Sequence, residues 1–188
     1  MGTVKLYDTL KAGYGDKKSV DKLREQGYTR DDSLSNDNTQ VYYNKRTRQM
    51  VYNVSGTHNL KDWATDFYLL KGKVKDTNRY KQAERNLQRA KDKYKPRETA
   101  VSGHSLGGTI AQGIKKNGDK ESDYNAGYTF FQKSRSNHGE SNHLRTGGDI
   151  VSALSGNSKN IKTIKSKSWN PLTNHAVENL KDSDETVI

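Results

Sequence analysis

The chain has 188 residues and a formal net charge of +11 at neutral pH, enough length to bury one core but too little for two ordinary domains, so a single domain over 1–188 is expected. Leu, Ile, Val and Phe make up only about 17% of it, which with this charge borders on the composition of disordered chains; the 11 Tyr and 2 Trp against 2 Pro restore enough apolar surface for a thin-cored fold. The absence of Cys excludes disulfides and thiolate chemistry. No apolar run reaches the roughly 18 residues of a membrane span, and the opening Met1-Gly2-Thr3-Val4-Lys5-Leu6 has no secretory core, so a soluble intracellular or particle-associated protein is expected.

In chain order, Val20 and Leu23 on one side of 17–26 predict a short helix stopped by Gly27. The Val- and Tyr-rich runs 39–43 and 49–55, joined by Asn44-Lys45-Arg46-Thr47-Arg48, predict a hairpin or two adjacent strands. Residues 62–70 hold the densest apolar patch, with Trp63, Phe67, Tyr68, Leu69 and Leu70. Over 77–94, Tyr80, Ala83, Leu87, Ala90 and Tyr94 recur at alternating spacings of 3 and 4, the stripe of an amphipathic helix that Pro96 stops. A short strand at 99–102 runs into a second helix over 106–116, and 119–123 reads as a charged loop beyond it. Further strands are expected at 127–131, before Ile150-Val151, and at 161–164. Strands alternating with helices predict a mostly parallel α/β sheet.

The junction Gly103-His104-Ser105-Leu106-Gly107-Gly108 lies between a strand and a helix, the context in which Gly-x-Ser-x-Gly forms a sharp turn projecting a serine hydroxyl above the sheet. The flanking residues must be small because strand and helix nearly collide, and Gly103 and Gly107 meet that demand. A serine hydroxyl needs a general base to take its proton and an acid to orient that base, and in the fold built on this elbow the chain order is Ser, acid, His. Of the five histidines only His175 lies well downstream with an acid between; His58 and His104 precede Ser105, and His138 and His143 precede the better acid. His104, next to the serine, lines the turn instead. Asp119, Glu121, Asp123, Glu140 and Asp149 all fall in the interval. Asp149 is preferred because it follows Gly147-Gly148 at a strand's end, where ligand sites collect. The oxyanion needs two N–H donors, one from Leu106 and one from the loop after an earlier strand, where Gly56-Thr57 offers Thr57.

These segments resemble the class 3 lipases, an α/β-hydrolase family, in a short form. The likeness is carried by Val54-Ser55-Gly56-Thr57, Asp62-Trp63-Ala64-Thr65-Asp66, Val101 to Gly108, Gly148-Asp149-Ile150-Val151 and Asn174-His175-Ala176-Val177-Glu178-Asn179, and covers about 40–180 in the family's order. It implies an α/β-hydrolase-like fold, mostly parallel with helices on both faces, in a minimal version. The activity implied is that of a serine ester hydrolase, a lipase or carboxylesterase with phospholipids among its substrates, using no metal and no organic cofactor. By matching position Ser105 is the nucleophile, Asp149 the acid, His175 the base, and Thr57 and Leu106 the oxyanion donors. Trp63, Phe67, Phe130 and Phe131 are the apolar candidates for an acyl-binding wall.

Most of the net charge falls between Lys71 and Arg97, where eleven basic residues face Asp76, Glu84 and Asp92. Such a face suits an anionic membrane surface. Its aromatics, Tyr80 and Tyr94, lie on the buried stripe, so no base-stacking platform and no nucleic acid partner are expected. The same residues admit two other readings: a non-catalytic interaction protein on a hydrolase scaffold using the basic helix 71–97, and a thioesterase or peptidase with the same triad.

Overall fold

The computed structural model describes residues 3–57, 73–127, 141–149, 151 and 161–188. Among them seven strands form one sheet in sequence order: β1 Thr29–Arg30, β2 Thr39–Asn44, β3 Gln49–Val54, β4 Glu98–His104, β5 Lys120–Tyr124, β6 Ser141–Thr146 and β7 Ile161–Ile164. The first three are antiparallel, and from β3 onward every neighbour is parallel. Residues 39–43 and 49–55 are a hairpin, Thr39 opposite Val54 and Asn44 opposite Gln49. Its turn is shaped by the Asn44 carboxamide oxygen, which accepts from the amides of Arg46 and Thr47.

Helices cover both faces. On one, α3 Asn78–Tyr94 and α4 Leu106–Ile114 pack on Met50, Tyr52, Val54 and Val101. The predicted stripe of α3 faces inward through Tyr80, Ala83, Leu87 and Ala90, while Tyr94 stacks on Tyr43 with ring centroids 4.2 Å apart. Thr77 caps the first turn of α3 by accepting from the Tyr80 amide, and Lys95, in the left-handed region at φ 42°, ends the helix before Pro96. On the other face α1 Leu6–Gly13 and α2 Lys17–Glu25 contribute Leu6, Leu10 and Leu23 against Tyr42, Val51 and Ala100. Within β3, residues 50, 52 and 54 face one layer and Val51 the other, the period of two that a sheet buried on both sides requires.

The C-terminal part follows β7 with a short helix, α5 Pro171–His175, and a 3₁₀ turn, Val177–Leu180, that returns against α1. The fold departs from the sequence expectations at three places. Residues 6–13, with only two leucines and no long stripe, form a helix. The segment 119–123, read as a charged loop, contributes the central strand β5. The second helix ends at Ile114 rather than near Lys116. The patch 62–70 and residues 128–131 lie outside the described residues, while Gly127 follows β5 without joining a strand. No helix among the described residues is long and apolar enough to cross a membrane.

Candidate active site

The site gathers at the carboxyl ends of β3, β4 and β6. Ser105 stands between β4 and α4 at φ 61°, ψ −129°, a backbone conformation that non-glycine residues rarely adopt and that costs about 1–3 kcal/mol. The surrounding glycines make this turn possible. A Cβ on Gly103 would lie 2.4 Å from the Gly107 carbonyl oxygen, and one on Gly107 would lie 2.1 Å from that of Val54. The Ser105 amide donates to the Tyr124 carbonyl at 3.0 Å, tying the turn to β5. Ser105 is fully buried, and its Oγ has no hydrogen-bond partner among the described residues. Leu106 opens α4, where the first backbone N–H groups lack intrahelical acceptors and present the positive end of the helix.

Asp149 follows β6 through Gly147-Gly148, the second glycine at φ 73°. His175 ends α5. The two are buried together, Asp149 Oδ1 accepting from His175 Nδ1 at 2.6 Å. A carboxylate only accepts, so Nδ1 carries a proton and Nε2 is the ring nitrogen left to act as a base. No hydrogen bond joins Ser105 Oγ to His175 Nε2.

Several polar side chains hold the His175 segment in place. His104 Nε2 donates to the His175 carbonyl at 2.8 Å, and Asn125 Nδ2 donates to the carbonyls of Asn174 and His175 at 3.0 and 3.2 Å. The Asn125 oxygen accepts from the Thr146 amide at 2.8 Å, so one side chain links the end of β6, which leads to Asp149, with the segment carrying His175. Asn125 adopts φ 48° to do so. Because His104 Nε2 must donate to a carbonyl, its Nδ1 accepts, and Tyr14 Oη donates to it at 2.8 Å. Burial, then the nearby His175, pushes the His104 pKa down to about 3, so the ring is neutral.

The loop after β3 is held just as firmly. The Gly56 amide donates to Tyr14 Oη at 2.9 Å, and Arg79 Nη2 donates to the Gly56 carbonyl at 3.1 Å and also to that of Ser55. Thr57, half-buried, is next in the chain. A Cβ on Gly56 would stand 3.2 Å from that of Ser105, so loop and elbow touch.

Of the sequence-derived candidates, Asp149 and His175 are thus bonded, Ser105 and Leu106 form the elbow that the Gly56-Thr57 loop touches, and His104, next to Ser105, bonds the His175 carbonyl. The competing acids are engaged elsewhere. Asp119 accepts from Lys91 at 2.6 Å, and Asp123 accepts from Gln112 at 2.8 Å while contacting His143. Burial and the Asp123 charge hold the Glu121 carboxyl well above the usual range. Glu121, Asp123 and His143 bring ligand-type atoms within 4.8 Å of one another, though Asp123 and His143 are bonded within the group. Glu140, His58, His138 and the acyl-wall candidates Trp63, Phe67, Phe130 and Phe131 lie outside the described residues.

Tyr14, Arg79 and Asn125 were not legible in the sequence as site residues. The first two come from elements that no catalytic motif marks, and Arg79 reads as one more cation of the basic helix. That basic face is narrower than the residue count implies. Arg79 turns inward and Lys91 and Lys93 pair with Asp119 and Asp31, while Lys81, Arg85 and Arg89 on α3 and Lys73, Lys75, Lys95 and Arg97 flanking it are exposed.

No protein-family model matches the sequence, and a search of curated proteins returns no significant match. Solved structures do match. A fungal lipase superposes with a TM-score of 0.55 at 16% identity, over 82% of this chain and 70% of its own. A mutant form of MDLA from Penicillium cyclopium gives a TM-score of 0.55 at 14% identity, over 88% and 77%. Rhizomucor miehei lipase in its propeptide complex gives 0.54 at 13%, over 79% and 61%. At these identities the likeness is one of fold, and that fold is the α/β-hydrolase-like one.

Proposed function

We propose that the chain is a serine hydrolase of carboxylic esters, lipase- or carboxylesterase-like, working through an acyl-enzyme. The observation that carries this reading is the buried Asp149–His175 hydrogen bond of 2.6 Å, which leaves Nε2 as the basic nitrogen in a site that also holds the strained Ser105. Solved fungal lipases with the same fold support the ester class.

In this reading His175 Nε2 takes the Ser105 proton as Oγ attacks the ester carbonyl, and Asp149 stabilises the imidazolium. The tetrahedral oxyanion accepts from the N–H groups of Leu106 and Thr57. His175 then protonates the departing alkoxide, leaving Ser105 acylated. Water, deprotonated by the same Nε2, attacks the acyl carbon, and the acid leaves as Oγ regains its proton. No metal or organic cofactor enters any step.

The test is labelling by a fluorophosphonate, with hydrolysis of nitrophenyl esters of increasing acyl length, in wild type and Ser105→Ala. Wild type labels stoichiometrically. Ser105→Ala does not label, and its turnover falls by about a thousandfold or more while its thermal melt stays intact. A wild-type protein that neither labels nor outpaces the alanine variant overturns the proposal.

A further inference from the structure

We infer that Arg79 is a positioning residue of the oxyanion loop: by gathering two successive carbonyls onto one guanidinium it aims the Thr57 N–H toward the site. This rests on the ester-hydrolase reading above and extends it to a residue outside the motifs that suggested it.

The first observation is how unusual the Arg79 environment is. The side chain leaves the charged face of α3 and is largely buried, enough for desolvation to pull its pKa below the ordinary arginine range. No carboxylate lies within ion-pairing distance among the described residues, and Nε is buried without a hydrogen-bond partner. Burying a guanidinium is costly unless it is paired and hydrogen-bonded. Here its hydrogen-bond acceptors are the carbonyls of Ser55 and Gly56.

Peptide geometry gives those two bonds their meaning. In a trans peptide unit the C=O of one residue and the N–H of the next point in opposite directions, and no described peptide bond is cis. With the Ser55 and Gly56 carbonyls both turned to Arg79, the N–H groups of Gly56 and Thr57 are both turned away from it. The Gly56 N–H is taken by Tyr14 Oη at 2.9 Å. The Thr57 N–H makes no hydrogen bond among the described residues, and it belongs to the loop that abuts Ser105. Arg79 therefore holds one side of the loop and Tyr14 the other. Through His104, whose Nδ1 accepts from Tyr14 and whose Nε2 donates to the His175 carbonyl, the same network reaches the base. A preorganised donor stabilises an oxyanion because it need not reorient as charge develops.

The experiment uses the full chain with Arg79→Gln, Arg79→Lys and Tyr14→Phe, each checked for folding by circular dichroism and thermal melting. It measures kcat, KM and the pH profile with nitrophenyl butyrate, and the rate of fluorophosphonate labelling. Losing one oxyanion donor outright costs about 10²–10³ in kcat, so a misaimed one is expected to cost roughly 10–100-fold. Arg79→Gln should show that loss in kcat and in labelling, with KM changed by less than about threefold and an unaltered pH profile. Arg79→Lys keeps a cation but cannot fork to both carbonyls, so it falls between Gln and wild type. It also carries the measurement if Arg79→Gln does not fold. Tyr14→Phe, which frees the Gly56 N–H, should lower kcat in the same manner.

A folded Arg79→Gln variant with wild-type kcat overturns the assignment of Arg79 while leaving the hydrolase reading intact. So does a rate loss that only tracks the folded fraction. A wild-type protein without labelling or turnover overturns both.

Discussion

Both faces of the sheet bury an apolar core, but near the carboxyl ends of the strands they diverge: the α3 and α4 side stays apolar while the α1 side turns polar. Toward α3 and α4 the strands present Met50, Tyr52, Val54 and Val101 to Leu87, Ile110 and Ile114, and the Tyr52 hydroxyl meets the Ala83 carbonyl at 2.9 Å. Toward α1, near the carboxyl ends, they present Asn53, Ser102 and His104. Asn53 donates to Gln40 at 2.8 Å and accepts from Ser102 at 3.1 Å, while Ser55 reaches the Gly13 carbonyl at 2.9 Å. Burial of apolar area is strong but non-directional, whereas a satisfied buried hydrogen bond adds little net stability and much orientation. The apolar packing on both faces therefore carries stability, and the polar network at the carboxyl ends on the α1 side aims the loops that hold Ser105, Thr57 and His175.

The largest effect is expected where the two faces are joined, at Gly107. Gly107→Ala would drive a Cβ to within 2.1 Å of the Val54 carbonyl oxygen and 2.4 Å of that of Ser55, so β3 and α4 must separate. Loss of more than ~4 kcal/mol, seen as insoluble or molten protein on expression and melting, is expected. A cooperative melt near that of wild type would show that the elbow is looser than the contacts indicate.

A cavity in the apolar packing comes next. Ile110→Ala removes a fully buried side chain and should cost ~2–5 kcal/mol, with Tm falling by about 2–4 °C per kcal/mol. Esterase activity per folded molecule should be retained. A large drop in kcat with little change in Tm would contradict the division of labour between apolar packing and polar network.

The smallest effect per unit change belongs to the polar network and is read by titration. His104 is neutral and buried with a pKa near 3, whereas an unfolded chain binds its proton at about 6.5. As pH falls from about 6.5 toward 3 the unfolded state gains a proton that the folded state excludes, so stability declines by up to ~1.4 kcal/mol per pH unit. Above about 6.5 the group contributes no pH dependence. Urea unfolding between pH 4 and 7 should show a shallower decline in His104→Gln than in wild type. Parallel pH profiles would mean that His104 is protonated in the fold and that the Tyr14 hydroxyl bonds it differently.

Much of the fold was legible because its signals are local. The stripe of α3, the hairpin joined by Asn44 to Arg48, and the elbow with its two glycines each follow from a few neighbouring residues and the period of the element. The Asp149–His175 pair could be anticipated because an imidazole base needs an orienting acid, and of the five acids in the interval Asp149 stands at a strand's end beside two glycines. Strand β5 was illegible for the opposite reason. Lys120-Glu121-Ser122-Asp123-Tyr124 carries charges in place of the apolar run expected of a central strand. Those charges are tolerated only because Gln112, Lys115 and His143 arrive from other elements to meet them.

By itself, then, the sequence determined where the long amphipathic helix, the hairpin and the sharp turn form and which side chains bear nucleophilic, basic and acidic groups, since propensity, periodicity and functional groups are properties of short stretches. Only the tertiary structure decided that Arg79 leaves a basic face to hold two loop carbonyls, that Tyr14 and His104 link the Gly56 loop to His175, and that Asn125 ties Asp149's strand to His175's segment. Each of these depends on a backbone group far away in the chain, and a hydrogen bond between distant groups has direction only once the sheet has fixed both ends.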